Sequence, residues 1–575
     1  MSSRSSRALD RLTLPMRLLM ALYSAAPALF LAACAIASLA YALGLFQNVS
    51  DSLDSILPFD PNNATPLLAI LSAIGLGALT VGLIRNKAIA WVLTLVTLCV
   101  SLLAQSDLLA HPIVVGASVV AFSVLLADRR RYEVQTGVGW RRLIAWLLIV
   151  SLIALGIETS IIIVATGDWP QPLAWAGDFT YAIANALGLS DDAGQRVLSA
   201  TGRDALLGLL ILLARLPVVL AALGVLSRVG EPLPDPSTRT RARVIADKYG
   251  SGALLPFQLG EDKYVFDPAG SDGLVVYGMA GRTAVVLGDL IGPGEEATPL
   301  LAEFIDRCRK LDRIPVVYQA SAAGRRYLAE AGFRTFKVGE EAIVDLTTFD
   351  LGGSRRANLR HTITRCKRDG VQVRWFADGL PSEEGRLADE LAAIDAAWRH
   401  QAGPQMGFTI GEFERSALAW LPVSIAVDAA GHALGFTTYR RTGADRGWVL
   451  DLMRRVPDSP PGVVEACIAE AAAGFKAAGA TSLSLGLAPL AGLDGRNGPL
   501  EERLLERGGR LVQRWYDVKG LAFFKGKFDP TWVPRYGAIR HRRDLIAFVI
   551  GLLWVHLSGA LRLPGRRPLR HAAAT

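Results

Sequence analysis

The sequence predicts a multi-pass α-helical membrane domain followed by an α/β cytosolic domain. Charge density is the first of three observations behind this. Residues 1–230 are about 12% Asp, Glu, Lys and Arg, while residues 231–575 reach about 25%, an ordinary globular value. Second, apolar segments fall at 18–46, 64–84, 88–106, 112–127, 143–166 and 204–227. Most are near the ~20 residues a helix needs to cross a bilayer, so the set reads as six spans. Third, beyond residue 231 short apolar runs alternate with helical patterns. A chain of 575 residues that is 51% apolar and 20% charged is neither disordered nor a small disulfide scaffold nor a simple cytosolic enzyme.

Orientation follows from the basic residues. Arg4, Arg7, Arg11 and Arg17 precede the first span. Arg85 and Lys87 separate the second and third; Arg129, Arg130, Arg131, Arg141 and Arg142 separate the fourth and fifth. The alternate loops are mainly acidic, with Asp51, Asp54, Asp60, Asp107, Asp168, Asp178, Asp191 and Asp192. Six spans then leave both ends cytoplasmic, in a cytoplasmic (inner) membrane. The first run is too long, and has too many spans after it, for a cleavable signal peptide. Glu158 and Arg215 fall at matching depths in the fifth and sixth spans, either as a structural ion pair or as a polar lining for a lipid headgroup.

Cys34, Cys99, Cys308, Cys366 and Cys467 are scattered, without CxxC or Cys/His metal spacing, so no zinc site is expected. The net charge of +8 is local: residues 540–575 carry seven Arg against one Asp, while 231–539 balance at 39 basic and 39 acidic. A polyanion site in the soluble body must therefore be a patch.

The expected organisation is a transmembrane domain at 1–230, a Pro-rich charged linker at 231–243 and α/β modules at 244–353 and 371–540. A basic helix at 354–370 joins the modules, and a basic, apolar tail occupies 541–575. Strands are expected at 264–267, 274–278, 284–288, 315–319, 342–346, 422–427, 433–440, 447–453, 481–487 and 515–524. Helices are expected at 239–249, 297–312, 322–331, 383–400 and 461–478. The order of strands and helix over 422–487 resembles an N-acetyltransferase core, hence tandem GNAT-like modules. In such cores a Gly-rich loop cradles a coenzyme A pyrophosphate on a helix N-terminus. Here the loop after the strand WVLDLMRR is proline-rich with a single glycine, so that cofactor is not expected.

Several strings taken together are more specific: VVLGDLIGP (285–293), KVGEEAIVDL (337–346), GSRRANLRHTITRCKRDG (353–370), LDLMRR (450–455), LSLGLAPLAGL (483–493) and GLAFFKGKFDPTWVPRY (520–536). In this order, over about 240–540, they resemble the catalytic domain of aminoacyl-phosphatidylglycerol synthases, the multiple peptide resistance factors. The resemblance implies transfer of an aminoacyl group from aminoacyl-tRNA to a glycerol hydroxyl of phosphatidylglycerol, with no cofactor and no metal. It also implies protection against cationic antimicrobial peptides. Long members have a larger membrane region that includes a flippase; six spans look like a shortened version, which leaves flipping of the product open.

Candidate residues follow from that chemistry, which needs a proton path, oxyanion stabilisation and the positioning of two large anions. No Ser/His/Asp order or G-x-S-x-G elbow appears. On a regular strand Asp451 and Met453 share one face, with Leu450, Leu452 and Arg454 on the other. The resemblance places Asp451 and Arg454 in the active site, Asp451 for the amino group and Arg454 for a phosphate or the carbonyl oxygen. Glu341, or its neighbour Glu340, at the start of a strand, is a candidate general base. Arg355, Arg356, Arg360, Arg365, Lys367 and Arg368 form a phosphate platform or a solvated face, with His361 among them. Lys525 and Lys527, two apart and so on one face of a strand, together with Arg535 are phosphate contacts. Trp532 and Tyr536 are candidates for stacking on a terminal adenine. Gly486 with Pro489 marks a tight strand exit. The run 545–561, flanked by arginines, reads as an interfacial or re-entrant helix held to anionic lipid. Lysine is preferred over alanine as the transferred residue, because acids near Asp451 can receive a cation. An acyl-CoA-dependent lipid N-acyltransferase and a non-enzymatic membrane scaffold are the alternatives.

Overall fold

The structure, a computed structural model, describes residues 14–43, 66–104, 112–135, 156, 160, 230–402, 407–512 and 518–557. It divides into two compact units, residues 1–231 with 310–312, and the rest from 232 onward.

In the first unit, helices α1 (Leu14–Ala42), α2 (Pro66–Ile84), α3 (Ala88–Ala104) and α4 (Pro112–Ala127) fall where the first four spans are expected. Among the described residues one stretch, Leu22–Ala40, is long and apolar enough to cross a membrane; the apolar stretches in α2, α3 and α4 are shorter. Two buried hydroxyls are satisfied within their own helices: Ser38 Oγ donates to the Cys34 carbonyl and Thr80 Oγ1 to that of Leu76, each at 2.8 Å. The two expected basic loops meet, since Arg131 donates to Asn86 Oδ1 at 2.7 Å and to the Ser24 carbonyl at 3.1 Å. The fifth and sixth spans, with Glu158 and Arg215, lie outside the described residues.

The second unit is built on one 11-stranded sheet. In chain order the strands are β1 (Tyr264–Phe266), β2 (Val275–Ala280), β3 (Thr283–Leu287), β4 (Ile314–Ala320), β5 (Arg334–Asp345) and β6 (Gln372–Phe376). Then follow β7 (Val423–Val427), β8 (Ala433–Arg441), β9 (Gly447–Arg455), β10 (Ser482–Pro489) and β11 (Thr531–Ile539). Spatially they run β1-β2-β3-β4-β11-β5-β10-β9-β8-β7-β6. Helices α5 (Pro236–Tyr249), α6 (Leu255–Gln258), α7 (Ala297–Lys310) and α8 (Gly324–Glu330) accompany the first strands. Helices α9 (Ala357–Arg368), α10 (Gly385–Ala402), α11 (Val463–Ala477), α12 (Leu500–Val512), α13 (Val518–Gly526) and α14 (Asp544–Leu557) accompany the rest.

Local chemistry explains the elements. Asp235 caps α5 by accepting the Thr238 N–H at 2.7 Å, with Pro236 at the first helical position. Strands β3 and β4 are apolar runs buried on both faces, as parallel neighbours require. Helix α7 turns Leu300, Leu301, Phe304 and Cys308 onto them. On the other side of the chain α9 and α11 build a core with Tyr439, Phe475 and Leu483, and α10 another with Phe436 and Leu452.

Two expectations are corrected. Of the segment expected as a strand at 515–524, the described residues 518–524 lie in the helix α13, and the strand nearby is β11, which starts at Thr531, five residues past the helix end. Strand β11 does not complete a module at 371–540. It returns between β4 and β5, pairing antiparallel with both, so the last strand before residue 540 closes the sheet of the first half. Beyond β5, strands β9 and β10 pair in parallel only over Gly447–Val449 and Ser482–Ser484 and then part, while β10 stays paired with β5 over both Ser482–Ser484 and Leu487–Pro489. Three candidate side chains, Asp451, Arg454 and Lys525, lie on or against β9 and β10.

Candidate active site

Strand β9 holds the two residues the motif LDLMRR singled out, but not on opposite faces. Leu452 pairs with Thr438 and Leu450 with Tyr439, so Asp451 is the extra residue of a β-bulge. The bulge resets the alternation. Asp451, Leu452 and Arg454 are all buried, and Asp451 and Arg454 each feel the other's charge.

Asp451 accepts the Gly411 N–H at 2.9 Å and the Arg440 Nε–H at 2.7 Å. Burial pushes its carboxyl above the ordinary value; Arg440, the strongest opposing influence, offsets only part of this. A side chain at Gly411 would put its Cβ 2.3 Å from the Asp451 carboxylate, so that loop position needs glycine. Arg440 is a quarter exposed and reaches within 6.0 Å of the ring of exposed Trp420.

Arg454 donates to Asp395 of α10 at 3.2 Å and to the Met453 carbonyl at 3.0 Å. Its guanidinium lies 3.7 Å from the centre of the Trp398 ring. It forms part of the wall of a cavity of about 440 Å³, with Trp398, Pro461, Gly462, Glu465 and Phe524 around it. Gly462, at φ 99°, is the N-cap of α11, so the first turn of a 15-residue helix opens onto this cavity. The cavity thus joins a buried guanidinium, a helix N-terminus and two aromatic rings, a setting suited to an anionic group carried on a flat or apolar body.

The remaining candidates separate. Glu341 and Glu340 lie within β5 rather than at its start. Glu341 is buried, accepts the Ser484 hydroxyl on one oxygen and takes the Arg535 guanidinium on the other, with Nε at 2.7 Å. It therefore ties β5, β10 and β11 together, and Arg535 is its counter-ion rather than a free phosphate contact. Glu340 pairs with Lys337 at 2.6 Å. Lys525 and Lys527 lie in the last turn of α13 and just past its end, not on one strand face. Lys527 pairs with Glu465 at 2.8 Å, on the cavity wall. Lys525 is buried and donates to the Leu487 carbonyl at 2.7 Å, beside Gly486 (φ 80°). Trp532 packs into a core and Tyr536 lies under Arg325, at 4.5 Å. Pro489, at the end of β10, pairs with Gly339.

Burial holds the Lys525 amine down to about 7, with the Glu341 charge only partly opposing. The folded protein thus releases this proton before the unfolded chain does. Between pH ~7 and ~10.5 folding stability rises with pH by up to about 1.4 kcal/mol per unit from this group. Lys525→Met removes that slope, which denaturant titrations at several pH values measure.

On the basic helix, Arg356 and Arg360 act as staples. Arg356 pairs with Asp350 and Asp529 over the Phe349 ring, and Arg360 donates to the Leu351 and Gly353 carbonyls. Arg355, Arg365, Lys367 and Arg368 are exposed, as is His361, and among the described residues none of the four cations has an acidic partner. Of the six cations expected as a phosphate platform or a solvated face, these four are the exposed ones. Asp395, Trp398, Arg440 and Gly411 were not anticipated. The signal available was an acid, Asp395, inside an apolar helical stripe with Leu391, Ile394 and Trp398.

Residues 243–539, just over half the chain, match the family model described as phosphatidylglycerol lysyltransferase, C-terminal. The chain belongs to that family. It is 30% identical over 318 residues to the phosphatidylglycerol lysyltransferase of Bacillus subtilis (strain 168), covering 55% of this chain and 36% of that one. The lysyltransferase of Staphylococcus aureus (strain MRSA252) is 25% identical over 320 residues, 56% and 37% of the two chains. The chain thus spans little more than a third of the length of the curated lysyltransferases it matches. Among solved structures, the C-terminal domain of a putative lysylphosphatidylglycerol synthetase from Agrobacterium fabrum is 29% identical. It covers 56% of this chain and 98% of its own, with a TM-score of 0.48. L-PGS from Bacillus licheniformis is 25% identical, at 57% and 98%, with a TM-score of 0.49.

Proposed function

We propose that the chain transfers an aminoacyl group, lysyl by preference over alanyl, from aminoacyl-tRNA to phosphatidylglycerol on the cytosolic face of a multi-pass membrane domain. The observation that carries this reading is the two buried charges at the β9 bulge, Asp451 held by Arg440 and Arg454 held by Asp395, with Arg454 facing the cavity at the α11 N-terminus. The family match over residues 243–539 includes this bulge. The catalytic unit is read as tandem GNAT-like modules that share one sheet, a reading supported by the parallel strands β3/β4 and β9/β10, each followed by a helix.

In the reaction, the lipid glycerol hydroxyl attacks the ester carbonyl carbon of the charged tRNA. The new lipid ester forms as the bond to the tRNA ribose oxygen breaks, and the hydroxyl proton ends on that ribose oxygen. The exchange is ester for ester, so atoms balance without nucleotide, metal or organic cofactor. Arg454 is held rigid by Asp395 and Trp398, and steadies the carbonyl oxygen or a phosphate as charge develops. Asp451 receives the amino group, taking over the contact Arg440 makes. Neutralising lipid charge in this way would blunt the attraction of cationic peptides.

The test is the purified full chain in vesicles of phosphatidylglycerol with the amine-bearing lipid phosphatidylethanolamine, supplied with lysyl-tRNA, alanyl-tRNA or acyl-CoA, with lipids read by mass spectrometry. Lysyl-phosphatidylglycerol that vanishes on ribonuclease treatment is expected. Product from acyl-CoA alone would overturn the reading in favour of an N-acyltransferase. A further expectation concerns the basic helix. Arg365→Glu with Arg368→Glu raises KM for charged tRNA several-fold and flattens the salt dependence of that KM, while kcat is kept.

A further inference from the structure

Helix α14 has two apolar faces, and the sheet accounts for only one. On the inner side Phe548 meets the rings of Tyr318 and Phe336 edge-on, at 6.3 and 5.2 Å. Gly551 lies against Thr283, where a Cβ would come within 2.9 Å of the threonine methyl. On the outer side Ile546, Ile550, Leu553 and Trp554 are 69%, 60%, 50% and 52% exposed. Their spacing of four, three and one places them in a single stripe.

The stripe has no polar relief. Of the two polar residues in DLIAFVIGLLWVHL, Asp544 is buried and accepts the His541 N–H at 3.0 Å. His556 is turned inward, beside the Phe408 and Tyr318 rings. Charge appears instead at the ends. Arg542 and Arg543 are exposed just before the helix, and the sequence after it carries Arg562, Arg566, Arg567 and Arg570. At ~21 Å the helix is shorter than a ~30 Å hydrocarbon core, and its inner face is already committed to the sheet.

We propose that α14 is a seat on an anionic bilayer surface. The Ile546–Ile550–Leu553–Trp554 stripe lies at the level of the acyl boundary, and Arg542 and Arg543 pair with headgroup phosphates. An apolar stripe bracketed by arginines is complementary to an interface that is apolar inside and anionic at its rim. The same helix also reaches the active site. The His556 carbonyl accepts the Gly407 N–H at 2.8 Å, the Thr409 hydroxyl meets His556 Nε2 at 3.1 Å, and Gly411 two residues on holds Asp451. Seating α14 therefore steadies the loop that positions Asp451. Only this last consequence rests on the transferase reading.

The experiment places a nitroxide at Ile550→Cys, with Leu553→Cys as a second site, in full-length protein. Cys99, exposed, is replaced by serine, since Cys34, Cys308, Cys366 and Cys467 are buried. The protein is reconstituted in phosphatidylglycerol/phosphatidylcholine vesicles, with Val244→Cys, an exposed position on α5, as reference. The expected result is a several-fold higher ratio of oxygen to nickel-chelate accessibility at 550 and 553 than at 244. Arg542→Glu with Arg543→Glu should lower that ratio. Water-like values at both sites overturn the proposal. So do sites shielded from oxygen and nickel alike, which would mean a second copy or another part of the chain covers the stripe. Failure of the transferase reading would show as missing product while label depth stayed the same.

Discussion

Asp451→Asn lowers kcat for lipid aminoacylation by about 10²–10³-fold, the usual cost of removing a preorganised charge at a reacting centre. The substitution keeps the shape of the side chain and an oxygen for the Gly411 N–H. What it removes is the negative charge in the bulge, opposite Arg440 and near Arg454. Arg440 loses its partner, so some stability falls as well, and the two effects must be separated. Arg440 is a quarter exposed, so water can take over part of its hydration. Asp451→Asn with Arg440→Gln should then restore the unfolding midpoint without restoring turnover, and a double-mutant cycle on both observables measures this. If turnover returned along with stability, Asp451 would be a fold anchor and the assignment of the site to this bulge would be wrong.

The bulge also shows where the sequence stops being legible. Motif strings led to Asp451 and Arg454, and period-2 alternation then put them on opposite faces. A bulge is one inserted residue and leaves no mark in composition, so nothing in LDLMRR announces it. Buried strands were readable because VVYG, AVVL and PVVYQA are continuous apolar runs bounded by glycine or charge. The same rule failed at LAFFKGKF, where an apolar run of strand length forms the helix α13. Strand β11 was hidden for the opposite reason. TWVPRYGAI carries Pro534, which usually argues against a central strand, yet it is accommodated next to a register shift at Arg535/Tyr536. Pairing across 194 positions between Glu341 and Arg535 has no local signature, so the sequence reads as separate charges two residues that form one buried ion pair.

That pairing sets the second large expectation. Arg535→Met should destabilise the catalytic unit by roughly 3–5 kcal/mol, because it leaves the Glu341 carboxylate buried between β5, β10 and β11 without its counter-ion. The loss should exceed that of any exposed pair, such as Arg415 with Asp389, where solvent screening leaves little to lose. Glu341→Gln added to Arg535→Met should recover most of it, since glutamine still accepts the Ser484 hydroxyl and carries no charge to strand. Chemical denaturation of the single and double variants reads the energies, and turnover of the double variant decides the role of Glu341. A stable double variant that retains turnover makes the pair a clasp between the central strands, with proton movement left to the substrates and the groups around the cavity. A stable but inactive one would return Glu341 to the chemistry.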